Sequence, residues 1–138
     1  MGEMQVTDSV LRNGQVVFTT LVPNPDPCGF GGSSWLMALD ALSGARLGST
    51  FDLNGDGQFG SSDKVTHGGT DVAPSGVQST QGIAPRPAVI TDGTRDYIIL
   101  PGTRPPEDDD PGAGAGTFQS TLDPGAGAYG RQSWRQLR

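Results

Sequence analysis

Apolar side chains along this chain fall into short runs separated by turn residues, and the runs alternate as strands do. Residues 8–22, DSVLRNGQVVFTTLV, predict a hairpin. Asn13-Gly14 is a two-residue turn signal because both residues accept positive φ at little cost. The run from Val16 to Val22 that follows is β-branched and aromatic, the composition of a buried strand. Pro23, Pro25 and Pro27 then end the pairing, since proline lacks the ladder N–H. Further on, Trp35, Met37 and Leu39 alternate with Leu36, Ala38 and Asp40, and Ser43-Gly44 follows. That period of two predicts a second hairpin. The competing reading is a helix, because WLMALDAL also contains good helix formers. Residues 66–82 are polar and glycine-rich and predict an irregular crossing. A third hairpin is predicted where Ala88, Val89 and Ile90 run into Asp92-Gly93 and then into Tyr97, Ile98, Ile99 and Leu100.

These elements predict an all-β fold of antiparallel hairpins with long loops and no helix. Such hairpins suit one or two blades of a β-propeller better than a closed sandwich. No clean internal repeat is visible, and two blades cannot close a ring, so the chain is expected to be the C-terminal part of a larger propeller. The organisation expected is a blade segment over 1–100, a Pro/Gly/acidic mobile insert over 101–117, and a closing strand segment over 118–138. The insert, PGTRPPEDDDPGAGAGT, carries too few apolar residues to offset its own ordering entropy. In the last segment Trp134 and Leu137 are candidates to close a sheet edge.

Composition modifies this picture in three ways. Twenty-two glycines and eleven prolines make up close to a quarter of the 138 residues, and 33% are hydrophobic, so the domain is expected to be folded but loop-rich. A net charge of -6 argues against nucleic acid as a partner, because phosphate neutralisation needs clustered Lys and Arg. No apolar run reaches membrane-spanning length. The first ten residues, MGEMQVTDSV, show neither a basic-then-apolar leader nor a myristoylation signal. A protein working outside the cytoplasm would therefore carry its export signal upstream. Cys28 is the one cysteine, either buried, free or paired with a cysteine elsewhere.

The acidic residues concentrate in Glu107–Asp110 and in FDLNGDGQFGSSDKV, residues 51–65. An EF-hand-type loop places oxygen ligands at positions 1, 3, 5, 7, 9 and 12 with glycine at 6. Counted from Asp52, those positions hold Asp52, Asn54, Asp56, the Gln58 carbonyl, Gly60 and Asp63, with Gly57 at the sharp turn. Gly60 has no side chain, so water would fill its place. Asp63 stands where a bidentate Glu is usual and is one methylene shorter. Three carboxylates balance Ca²⁺ with one charge in excess, which suits modest affinity at millimolar calcium. The bland alternative is a series of Asx-turns without metal, leaving the acids to repel one another. The flanks are not those of a helix-loop-helix unit. Phe59 is expected to anchor the loop to the core.

Taken together, VLRNGQVVFTTLVPNPDPCGFGGSSWLMALDALSGARL, FDLNGDGQF and the final RQSWRQLR resemble the C-terminal β-propeller region of PilY-type proteins of type IV pili. The resemblance implies a large secreted or surface-exposed protein at the pilus tip, associated with the outer membrane. Such a protein would work with pilus subunits (minor pilins) and with host or abiotic surfaces. It would assist pilus biogenesis, limit retraction and contribute to adhesion and twitching motility, with a calcium loop in its propeller acting as a switch. Two other classes compete. LMALDALSG also resembles the blade repeat of quinoprotein dehydrogenases, but one repeat and one cysteine do not make such an enzyme. DLNGDGQFGSSD resembles a dockerin calcium loop, but dockerins pair two such loops, each with a helix. Hydrolysis by a Ser-His-Asp set is weaker still, since His67 is the one histidine and lies in a glycine turn. The expectation is a non-enzymatic calcium-binding segment with Ca²⁺ as its cofactor.

Overall fold

The structure, a computed structural model, describes residues 2–26, 31–79, 81–103 and 117–123, with 117–121 described as backbone only. Cys28, most of the 101–117 insert, Trp134 and Leu137 lie outside the described residues.

The first hairpin forms as its sequence dictates. β1 (Val10–Arg12) and β2 (Gln15–Pro23) pair antiparallel through a turn in which Asn13 has φ 52° and Gly14 has φ 77°. Both values are those of a type I′ turn, whose twist matches the strands it joins. β2 then pairs with β3 (Gly32–Asp40), with Val17 opposite Ala38 and Gln15 opposite Asp40. The far side of β3 is taken by β6 (Gly76–Ser79), so the first sheet runs β1-β2-β3-β6. A second sheet is built from β7 (Ala88–Thr91), β8 (Asp96–Pro101) and β9 (Thr117–Leu122). Pro101 and Thr117 are register partners, which brings the two ends of the Pro/Gly/acidic segment together.

Two expectations are corrected. No return strand follows Ser43-Gly44, although the turn itself forms. The Asp40 carboxylate accepts from the Leu42 and Ser43 amides and the Ser43 hydroxyl, and those bonds hold its pKa below the usual range, the hydroxyl most of all. Beyond the turn the chain has no strand edge to join, because β2 and β6 already occupy both sides of β3. Residues 66–82, expected to be irregular, contain β6 and, with Val65, a small hairpin of β4 (Val65–His67) and β5 (Thr70–Val72) around Gly68-Gly69. These strands are short, and β4 is exposed throughout, so hydrophobic periodicity leaves little mark on them. The only helical element among the described residues is a 3-10 turn at Ser61–Asp63.

The core lies between the two sheets. Val17, Leu36 and Ala38 from the first face Ile98, Leu100 and Leu122 from the second, with Phe51 and Ala84 filling the gap. On β3 the inward set is Ser34, Leu36 and Ala38, while Trp35 and Met37 sit half-buried on the opposite face. Polar ties cross the same seam. Gln15 Nε2 donates to the Asp123 carbonyl at 2.8 Å, the Ala84 amide donates to Ser34 Oγ at 2.9 Å, and Thr19 Oγ1 donates to the Pro85 carbonyl at 3.0 Å. Arg12 and the buried Asp96 form a bidentate ion pair at 2.5 and 2.9 Å. The fold is all-β, two antiparallel sheets packed face to face in chain order, as neighbouring propeller blades are.

Candidate metal-binding loop

The acidic loop is rooted in that core. Phe51 is fully buried and bridges to Leu122, and Asp123 donates its amide to the Thr50 carbonyl at 2.7 Å. The chain therefore leaves the interior at Asp52 from a fixed point. It then winds around its own side chains. Asp52 Oδ1 accepts from the Gly55 amide at 2.7 Å and Oδ2 from the Gly57 amide at 2.8 Å. Asn54 Oδ1 accepts from the Asp56 amide at 2.9 Å, and Asp56 Oδ1 from the Gln58 amide at 2.7 Å. Asn54 Nδ2 also donates to Asp56 Oδ2 at 2.9 Å. Each bond spans two to five residues, the reach of an Asx-turn, so the Asp/Asn spacing itself coils the segment.

Asp63 closes the coil. Its Oδ1 accepts from the Leu53 amide at 2.9 Å and its Oδ2 from the Gly60 amide at 2.8 Å. One side chain thus ties the start of the loop to its end, and it is only 4% exposed. The Gly60 N–H above all, then Leu53 and Asn54, hold its pKa below the usual carboxylate range against the opposing effect of burial. Asp52 and Phe59 are half-buried, whereas Asn54, Asp56, Gln58 and Gly60 are exposed.

The six expected ligand positions thus lie on one compact winding. Among the described residues, however, no group of three or more His, Cys, Asp or Glu side chains stands gathered to hold an ion. The carboxylates face amides instead. The donor set is nonetheless all oxygen, which suits a hard cation such as Ca²⁺ and not Zn²⁺. An ionised carboxylate has about four lone-pair sites, so Asp52 and Asp56, each accepting two hydrogen bonds, keep acceptor capacity, whereas Asp63 is taken up by its bonds within the loop.

Arg95, which the sequence did not connect with this loop, stands against it. Gly57 has φ 77°, and a Cβ there would stand 2.5 Å from Nη1 and 2.8 Å from Nη2 of Arg95. Glycine is therefore favoured at 57 by its left-handed backbone, and a Cβ there would displace the guanidinium. Arg95 belongs to the β7–β8 turn, far along the chain, and nothing local in TDGTRDY points to Gly57.

Elsewhere the surface of the described residues offers little chemistry. His67 lies on the exposed strand β4. The cleft between β1 and β7 is lined by Arg12, Arg86 and apolar neighbours, with no acid, thiol or hydroxyl side chain among them. No helix of the described residues is long and apolar enough to cross a membrane.

Comparison with known proteins places this architecture. No family model matches the chain. It is 30% identical over 137 residues to the type IV pilus biogenesis factor PilY1 of Pseudomonas aeruginosa, a match covering 99% of this chain and 10% of that protein. A PilY1 homologue of Xylella fastidiosa is 30% identical over 154 residues, with the same coverage. The chain thus spans about a tenth of the length of these relatives. In three dimensions it is similar to the crystal structure of the Pseudomonas aeruginosa PilY1 C-terminal domain, with a TM-score of 0.65 and 22% identity. That superposition covers 90% of this chain and 21% of the other. Homologous along nearly its whole length to PilY1 proteins, and sharing the fold of their C-terminal domain, the chain belongs to the C-terminal propeller region of the PilY family.

Proposed function

We propose that this chain is a non-enzymatic, calcium-binding propeller segment of a type IV pilus biogenesis and adhesion protein, exposed at the cell surface or pilus tip. The observation that carries the pilus assignment is the match along 99% of the chain to proteins named for type IV pilus biogenesis. Its partners would be pilus subunits, minor pilins among them, and the host or abiotic surface to which a pilus attaches. Retraction control and twitching motility are the phenotypes in which it would act.

Support for calcium comes from the loop. Asp52, Asn54, Asp56, the Gln58 carbonyl, Gly60 through a water, and Asp63 supply oxygen donors in the register that a six- to eight-coordinate cation requires. When bound, the ion would join the two ends of a loop that Asp63 already closes, as a structural clamp or a surface switch. Isothermal titration and thermal-shift assays are expected to detect Ca²⁺ binding that Asp52→Ala or Asp56→Ala abolishes. A folded chain that gains no stability from millimolar Ca²⁺ would refute the calcium assignment. For the pilus role, neutralising the loop in the full-length protein is expected to alter extension or retraction. Pili that extend and retract normally would remove the regulatory part.

A further inference from the structure

Arg95, in the β7–β8 turn, is placed against the acidic loop at Gly57. The turn that carries it is firmly shaped. Asp92 Oδ1 accepts from the Thr94 amide at 2.8 Å, the Arg95 amide at 2.9 Å and the Thr94 hydroxyl at 2.7 Å, and Oδ2 accepts from Tyr97 Oη at 3.1 Å. Thr91 Oγ1 donates to the Arg95 carbonyl at 3.2 Å, fixing the same residue from the other side. Backbone and Cα of Arg95 are thus held, while its guanidinium donates no hydrogen bond and forms no ion pair within 4.0 Å among the described residues. A guanidinium carries five N–H donors and remains charged. Here it rests on Gly57, whose own amide is bonded to Asp52 Oδ2. A positive charge therefore rests on the acidic loop at Gly57, the residue whose amide serves Asp52, without being paired to a carboxylate among the described residues.

We propose that Arg95 is the resident counter-cation of the acidic loop, and that a divalent cation entering the loop must work against it. Occupancy of the loop would then be transmitted to the β7–β8 turn. This rests on the calcium assignment made above and adds its regulation. Two consequences follow from the physics. A cation near the loop lowers the affinity for a second cation through Coulomb repulsion, and in exposed surroundings that repulsion fades with added salt. The loop and the turn also touch at Gly57, through the side chain of Arg95 that an entering cation would displace.

The test is calcium titration of the full chain at low salt and at physiological salt, comparing the parent with Arg95→Gln and Arg95→Lys. Arg95→Gln is expected to bind Ca²⁺ roughly fivefold more tightly at low salt, with the gap narrowing to about twofold at physiological ionic strength. Arg95→Lys keeps the charge and is expected to stay close to the parent. In the parent, Ca²⁺ is also expected to move the backbone amide resonances of Thr94 and Arg95. A parent that binds Ca²⁺ while Arg95→Gln binds equally or more weakly overturns the proposal and leaves the calcium assignment standing. A parent that binds no Ca²⁺ overturns both.

Discussion

The ion pair between Arg12 and Asp96 gives the sharpest stability prediction. Asp96 is 1% exposed, and both of its carboxylate oxygens are engaged by Arg12, at 2.5 Å from Nε and 2.9 Å from Nη2. Removing the guanidinium would leave a desolvated carboxylate beside Ile98 and the rest of the inter-sheet core. Breaking a buried pair from one side costs about 3–5 kcal/mol, most of it the uncompensated charge. Arg12 itself is 32% exposed, so water can reach the vacated position and the lower end of that range applies. Arg12→Met is therefore expected to cost about 3 kcal/mol. With a urea m-value of about 2 kcal/mol/M, the unfolding midpoint falls by roughly 1.5 M. Replacing both partners, as in Arg12→Met with Asp96→Leu, removes the stranded charge and is expected to recover most of the loss. Denaturation followed by tryptophan fluorescence measures all three variants. A loss below 1 kcal/mol for Arg12→Met, or a double variant no more stable than the single one, would refute the assignment of this pair as the electrostatic tie between the sheets.

Two further outcomes are expected. Phe51 is fully buried where the loop leaves the core, and Phe51→Ala should cost about 3–5 kcal/mol, read as a lower melting temperature; a change of under 1 kcal/mol would place Phe51 outside the core. Asp63 has a folded pKa below its unfolded value near 3.9, so its contribution to stability is present above that value and is lost as pH falls through the lower folded one. Asp63→Asn should therefore flatten the fall in stability below about pH 4, measured as urea midpoint against pH; an unchanged slope would mean that the loop closure at Leu53 and Gly60 does not govern that titration.

What the sequence determined by itself was the local part of the protein. Asn13-Gly14 prescribes a type I′ turn whatever surrounds it, because the two φ values depend on those residues and their neighbours alone. The Asp92-Gly93 turn between β7 and β8 was legible for a similar reason, as was the strand character of 35–40, whereas Gly32–Ser34 at the start of β3 read as loop. The Asx-turn winding of the acidic loop was equally local, since its hydrogen bonds from Asp52 to Gln58 span at most five residues. Strand partners were not legible. Ser43-Gly44 looked like the turn of a hairpin, but an edge can be paired only once, and β6 reaches β3 from residues that read as an irregular crossing. The sites that join the two sheets were hidden for the same reason. Arg12 with Asp96, and Arg95 against Gly57, are each brought together by blade packing across long stretches of chain, and neither pair leaves a periodic mark in the sequence. Hydrogen bonding over a few residues decided the shape of the loop. Burial of two apolar sheet faces against each other decided which charges stand beside it.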